Sequence, residues 1–341
     1  MKIIVDAMGG DNAPGAVVEG AVRALETLDA EIILVGRGED ILRALEGLGH
    51  KQLPHGMEVR NATEIIDMHD DPVNAVRTKR DSSMVVGLNL LREGAGDAFV
   101  SAGSTGALLT GATLIVKRVR GIRRAAVAPI LPSKSGGVLL IDSGANVECT
   151  PEYLLQFAYM GSYYAESAMG IAKPRVGLLN NGAEDTKGGD LQLRTYALLE
   201  RARAGGELNF IGNVEARDPM LGGCDVVVCD GFSGNVLLKA SEGAAGYLLS
   251  ELKAVFMKNA LTKLAGFLIR GGLRELRRRA DPDAVGGTVM LGIAKPVIKA
   301  HGSSNAAAIC SAIARAKAAV TARVAEKLQE NIEKIKLGDE E

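Results

Sequence analysis

Short runs of β-branched and aliphatic residues recur along the chain, and several of them stop at glycine flanked by aspartate, asparagine or serine. Ile3 to Asp6, Ile32 to Val35, Ala98 to Ser101, Val138 to Asp142, Val176 to Leu179, Phe210 to Gly212 and Asp225 to Asp230 have the apolar continuity of buried strands. Between them lie segments with helical spacing, Ala16 to Leu28, Ser83 to Arg92, Pro151 to Met169 and Leu191 to Arg203. This alternation predicts a mixed, mainly parallel sheet covered by helices, a three-layer α/β/α fold. With 341 residues, 47% of them hydrophobic, the chain can bury a large core. It contains no repeat of fixed period and no low-complexity linker, so residues 1–335 are expected to form a single domain, with scope for two subdomains around a cleft. A charged tail, 336–341, is expected to fray.

From about Gly234 the strand pattern gives way to a long helical stretch that runs past Val255 and resumes from Leu261 to Arg279. Gly266, Gly271 and Gly272 would each loosen that helix by about 1 kcal/mol relative to alanine, which predicts a bend or a helical hairpin. The last helix is expected to start near Ser303.

Charge and cysteine usage narrow the function. A formal charge of −1 leaves no global basic field, which argues against nucleic-acid binding and requires any basic partner site to be local. Cys149, Cys224, Cys229 and Cys310 form no CxxC pair and the four histidines no HExxH, so buried free thiols are expected and no metal or other cofactor is indicated. Asp6 ends the first apolar run too early for a signal peptide, and a cytoplasmic protein is expected. The uncharged stretch Ala98 to Val116 has a membrane-span length, but Ser101 to Gly106 in its middle reads as strand, tight loop and helix.

Open α/β sheets bind ligands at the carboxyl ends of their strands, and the glycine-rich loops there are the candidate site. The first contains Asp6, Gly9, Gly10 and Asp11, and reads either as a structural turn or as a place of close backbone approach. The second, with Ser104, Thr105 and Gly106, opens a helix, so it is either an ordinary cap or an anion cradle. Asp142 and Asn146 stand in the third loop, and Asn180, Glu184 and Lys187 in the fourth. Lys187 can place a cation over a phosphate or a developing oxyanion, or can simply be solvated. The fifth runs from Asp230 through Ser233 and Gly234 to Asn235, whose amide can donate to a carbonyl oxygen, with Lys239 on the helix that follows. The last holds His301, Ser303 and Ser304. Dinucleotide, Walker and nucleophile-elbow signatures are missing, so direct attack by a bound substrate is simpler than a covalent acyl-enzyme.

In their order the loops, DAMGGDNAP, SAGSTGA, LLIDSGANVE, GLLNNGAEDTKG, DVVVCDGFSGNVLLKASEG and AHGSS, resemble the bacterial phosphate acyltransferase family from Lys2 to about Lys327. The family more often has asparagine where Ser104 stands and a hydrophobic residue where Asn181 stands. The resemblance implies transfer of a long acyl chain from acyl carrier protein to inorganic phosphate. The acyl phosphate would feed phosphatidic acid and phospholipid synthesis through a downstream glycerol-3-phosphate acyltransferase. It also implies a fold similar to the isopropylmalate dehydrogenase and phosphotransacetylase group, and a homodimer. With it, Lys187 and Asn235 become the expected catalytic pair, Ser104 and Thr105 the rest of the cradle.

Residues Met257 to Ala280 carry seven basic side chains and one acidic one. On a helical wheel Lys263, Arg270, Arg274, Arg277 and Arg278 fall on one side and Leu261, Leu264, Leu268, Ile269, Leu273 and Leu276 on the other, with Phe267 and Arg279 breaking the pattern. The segment reads either as a helix packed on its own core or dimer partner, or, as family resemblance favours, as a reversible contact with an anionic membrane surface. The competing functions are a phosphotransacetylase acting on a short acyl-CoA, a nicotinamide-dependent hydroxyacid dehydrogenase, for which no carboxylate cluster or adenosine site can be assembled, and a non-enzymatic membrane-bound scaffold.

Overall fold

The computed structural model describes residues 1–273 and 286–335. Its strands fall into two sheets. The larger has seven strands in the order β3 (Met57–Asn61), β2 (Glu31–Gly36), β1 (Lys2–Asp6), β4 (Ala98–Ser101), β12 (Val297–Lys299), β11 (Thr288–Leu291), β5 (Ala126–Ala128). The first five of these are parallel; β11 runs antiparallel to both neighbours. The smaller sheet has the order β6 (Ile130–Leu131), β7 (Val138–Ile141), β10 (Val226–Val228), β8 (Val176–Leu179), β9 (Phe210–Val214), parallel except at β6.

Side chains that alternate along a strand enter different cores, which is why these strands are apolar at every position. Ile3 and Val5 of β1 pack on the face covered by α1 (Gly15–Thr27) and a late helix, Ala306–Thr321, while Ile4 packs with α4 (Ser83–Glu93) and α5 (Thr105–Gly111) on the other. In the small sheet Leu139 and Ile141 face α6 (Pro151–Ala168), whereas Val138 and Leu140 pack with Leu237. The result is the three-layer, mainly parallel fold that the alternation predicts.

The two sheets share one extended segment. Pro129 separates β5 from β6 and its carbonyl accepts from Leu140 N–H at 2.9 Å, while Ser143 N–H donates to Val127 O at 2.9 Å. The loop after β7 is thereby fastened to the last strand of the large sheet.

The long helical stretch is a hairpin of α9 (Gly231–Met257) and α10 (Ala260–Leu268), with its break in the interval between Val255 and Leu261 where the helical pattern pauses, ahead of the glycines. The break falls at Asn259, whose side chain caps α10 by accepting from Thr262 N–H at 3.0 Å. Gly266 lies inside α10, where a β-carbon would come within 3.2 Å of Phe256, so this glycine permits two helices to approach. The last long helix begins later than expected, at Ala306, because Asn305 takes the cap and accepts from Ala308 N–H at 3.0 Å. No described helix is long and apolar enough to cross a membrane.

Candidate active site

Parallel neighbours bring their carboxyl-terminal loops together, so the six candidate loops form two crowns. The crown on the large sheet joins the loops after β1, β4 and β12. Asp6, 2% exposed, accepts from Ser101 Oγ at 2.6 Å and from Met8 N–H at 3.1 Å. Burial pushes its carboxyl above the usual range. Gly9 fits because a β-carbon would lie 2.7 Å from both Asp6 Oδ2 and Gly103 N, and Gly10 has φ +98. Asp11 N–H donates to Gly302 O at 2.8 Å, and Asn12 Nδ2 to Ser303 O at 3.1 Å, which ties the first loop to the last. Ser104 Oγ accepts from Ala107 N–H at 3.4 Å as the cap of α5, Thr105 and Gly106 are exposed, and Ser303 N–H donates to His301 Nδ1 at 3.3 Å on the surface.

Beneath this crown lies a residue the motifs do not flag. Lys299, 8% exposed at the end of β12, donates to Ala102 O at 3.3 Å and also to Ala300 O. Burial lowers its pKa to about 8, against the opposing pull of Asp11 and Asp6. The available signal is a lysine closing the otherwise apolar Val297–Ile298 run. Close by in sequence, Ser304 Oγ is buried without a hydrogen-bond partner among the described residues.

The crown on the small sheet joins the loops after β7, β10 and β8. Asp142 is fully buried: Oδ1 accepts from Val127 N–H at 2.8 Å and Ala145 N–H at 3.3 Å, and Oδ2 from Asn146 N–H at 2.7 Å and Asn146 Nδ2 at 3.0 Å. Burial still raises its carboxyl pKa. These two residues therefore shape the loop. Asp230 caps α9, accepting from Ser233 N–H at 2.9 Å and Ser233 Oγ at 2.8 Å. Gly234 lets that helix lie directly on the loop after β7: a β-carbon would sit 1.9 Å from Asp142 O. Asn235 follows, exposed, with its Cβ and Cγ 3.9 Å from where a Gly144 β-carbon would be, and its amide makes no hydrogen bond among the described residues. On the adjoining loop Asn180 Nδ2 donates to Lys187 O at 3.0 Å, while the Lys187 ammonium reaches only a loose 4.0 Å contact with Glu184. Ser143 Oγ is buried and unpaired in this crown, a second group the motif reading did not single out. Lys239 points elsewhere, pairing with Glu242 at 2.8 Å on the exposed side of α9.

Thiol chemistry is suppressed here. Burial pushes the Cys149 thiol up to about 12, assisted by the charges of Asp142 and Asp230, and burial drives Cys229 well above its ordinary value. Among the described residues no cluster of histidine, cysteine and carboxylate side chains is gathered for a metal.

The hairpin leaves this site as an exposed apolar arm. Leu261, Leu264, Leu268 and Ile269 are exposed, Leu261 by 80%, and Leu273 is partly so. The Arg270 guanidinium lies 4.4 Å from the Phe267 ring centroid, which accounts for the aromatic residue that interrupts the wheel. Arg274 and Arg277, expected on the basic side, lie outside the described residues, as do Leu276, Arg278 and Arg279.

The mainly parallel α/β fold is shared with phosphotransacetylases of known structure. The structure matches a phosphotransacetylase from Streptococcus pyogenes with a TM-score of 0.62 at 18% identity, covering 96% of this chain and 94% of that one. A branched-chain phosphotransacylase from Enterococcus faecalis matches with a TM-score of 0.57 at 14% identity, over 94% and 99%. At such identities the likeness concerns the fold. Sequence carries the finer assignment: residues 1–327 match the family described as Fatty acid synthesis protein. The phosphate acyltransferase of Caldanaerobacter subterraneus subsp. tengcongensis is 46% identical over 334 residues, 98% of each chain. That of Bacillus licheniformis is 47% identical over 335 residues, again 98% of each. The chain belongs to this family and is an acyltransferase.

Proposed function

We propose that the chain moves a long acyl group from the phosphopantetheine thiol of acyl carrier protein to inorganic phosphate, releasing acyl phosphate and free carrier. The observation that carries this reading is the chemistry of the small-sheet crown. It offers an uncommitted asparagine amide, a loosely paired ammonium and an unpaired buried hydroxyl, while its thiols are held protonated.

With no activated side-chain nucleophile, the phosphate itself attacks. Its second ionisation lies near neutrality, about 6 for monoesters, so positioning matters more than deprotonation. A phosphate oxygen adds to the thioester carbon, the carbonyl electrons move to the oxygen, and their return expels the thiolate, which takes a proton from solvent. A cysteine-like thiol, with pKa about 8.5, leaves with little assistance. Lys187 and Asn235 donate to the oxyanion or to the phosphate, and each such donor is worth roughly 3 kcal/mol.

The exposed apolar arm fits reversible docking on anionic lipid, which suits an amphiphilic product passed to a glycerol-3-phosphate acyltransferase. A second copy of the chain is the competing cover for the same arm, and a homodimer is part of the proposal. Flotation with anionic vesicles, alongside sedimentation, separates the two.

The deciding assay measures phosphate-dependent release of free carrier, with acyl-CoA of graded chain length in parallel. Release that ignores phosphate would overturn the reading. Preference for a short acyl-CoA would replace it with a phosphotransacetylase.

A further inference from the structure

Five basic residues, Lys117, Arg118, Arg120, Arg123 and Arg124, fall within eight positions that contain no acidic residue, in a chain of net charge −1. All five are exposed and none closes a salt bridge among the described residues. Arg123 lies in the field of a nearby carboxylate, Glu152. Such a patch left unneutralised is a surface kept for an anionic partner.

The segment also borders a groove. Arg118 and Arg124 face Arg77 of α3 (Pro72–Thr78) across a cavity of about 280 Å³ that has Val73, Leu109 and Leu114 on its walls and no acidic lining residue. The fold holds two of the guanidiniums in place: Arg118 Nη1 donates to Arg123 O, and Arg124 lies 5.5 Å from the Tyr153 ring centroid. Arg77 has no side-chain partner among the described residues. Ala145 and Asn146 also line the groove. Asn146 O accepts from Gly231 N–H at 2.7 Å, and Gly144 backs Asn235, so the groove borders the small-sheet crown.

We propose that this groove receives the phosphodiester and pantetheine arm of the carrier, and that Lys117, Arg120 and Arg123 meet the acidic face of the carrier protein itself. The inference rests on the acyl-carrier reading above. A slot with apolar walls and guanidiniums at its mouth suits a linear, mostly uncharged chain bearing one permanent anion, which arginine grips in a fixed fork. Inorganic phosphate alone has no use for the apolar walls. Single-stranded nucleic acid would call for a row of stacking aromatics, and the groove lining contains none. A membrane would meet the larger exposed apolar surface of α9 and α10, where Leu261 and Leu268 stand further into solvent than Val73 and Leu114 of the groove.

Three variants test it: Arg77→Ala, the pair Arg118→Glu with Arg124→Glu, and the outer pair Arg120→Glu with Arg123→Glu. Arg43→Glu on α2 (Gly38–Gly47), away from the groove, is the control. Kinetics are measured with acyl carrier protein and with an acylated phosphopantetheine that lacks the protein. Binding of unloaded carrier is titrated without turnover, and thermal melts confirm folding. The groove variants should raise KM for both thioesters by about tenfold, the worth of one charge-assisted hydrogen bond, with kcat and the KM for phosphate within about twofold of wild type. The outer pair should weaken only the protein-borne substrate and the binding of unloaded carrier. Unchanged carrier KM and binding in all three folded variants would overturn the inference, as would a change confined to the phosphate KM, or loss of RNA or vesicle binding with carrier binding intact. Arg77→Ala removes no internal bond, so misfolding cannot disguise its result. A wild-type enzyme that fails to release carrier in response to phosphate would instead overturn the underlying reading.

Discussion

The two crowns are built from the same parts, three parallel strand ends and three glycine-rich loops, yet they differ in what they leave unspent. On the large sheet Ser104 is hydrogen-bonded within its own loop, Asp6 and Lys299 are hydrogen-bonded to the strand end and loop of β4, and Asp11 is bound through its backbone to Gly302. On the small sheet the buried carboxylates of Asp142 and Asp230 do comparable bracing, while Lys187, Asn235 and Ser143 keep donors for something else. One crown is mostly frame; the other is frame plus free chemistry. The difference shows why a glycine-rich loop by itself says little about function, since the decisive question is which polar atoms the fold has already consumed.

Substitution can break that contrast. Lys187→Ala or Asn235→Ala should lower turnover by about 10²- to 10³-fold while the melting temperature stays put, since both side chains are exposed and make no strong internal bond. Steady-state kinetics beside a thermal melt checks this, and near-normal turnover in a folded variant removes that residue from the mechanism. Gly234→Ala should do the reverse kind of damage. A methyl group placed 1.9 Å from Asp142 O forces α9 off the loop, at a cost of about 3 kcal/mol in stability by denaturant titration.

The large-sheet crown is sharpened by pH. Lys299 has a folded-state pKa lowered to about 8 from the ordinary 10.5, chiefly by burial. Between those values the unfolded chain holds a proton that the folded chain has lost, so this group's contribution to stability rises with pH across that window. Relative to Lys299→Met, the wild type should gain up to roughly 3 kcal/mol between pH 8 and 10.5, measured as the difference between two denaturation series. A constant difference would show that Lys299 titrates normally. The smallest effect on stability belongs to the arm. Leu261→Glu with Leu268→Glu should change stability by no more than about 0.5 kcal/mol, because both side chains are already in water, while abolishing flotation with anionic vesicles.

The seven apolar runs read as strands all lie on observed strands, because apolar continuity marks a strand buried on both faces, and the four helical segments lie on observed helices, because each is long enough for its own periodicity to speak. The strands without such a run are charged or short: β3 (Met57–Asn61) carries Glu58 and Arg60 on a half-exposed edge, and β5 and β6 have three and two residues. Thr288–Leu291 and Val297–Lys299 have four and three residues, flanked by Gly287, Gly292 and Pro296, and find their partners far away in the chain at β4 and β5. The candidate site was legible as a set of loops, since glycine beside aspartate, asparagine or serine at a strand end is a local signal. The division of that set was not. Asp142 and Asn146 read as ligand groups until the structure shows them saturated by backbone N–H groups and by each other. Lys299 reads as an ordinary strand residue until its burial is known.

What the sequence determined by itself is the α/β alternation, the family, and the inventory of polar residues available for acyl transfer, because each of these is written in neighbouring residues and their order. Only the tertiary structure decided which of those residues are braces and which are free, and that the basic segment ahead of β5 lines a groove together with Asn146 of the crown holding Asn235. Burial depends on contacts between segments far apart in the chain, such as Lys299 with Ala102, and even the short-range saturation of Asp142 requires the loop to fold back on itself, which no local pattern of residue types specifies.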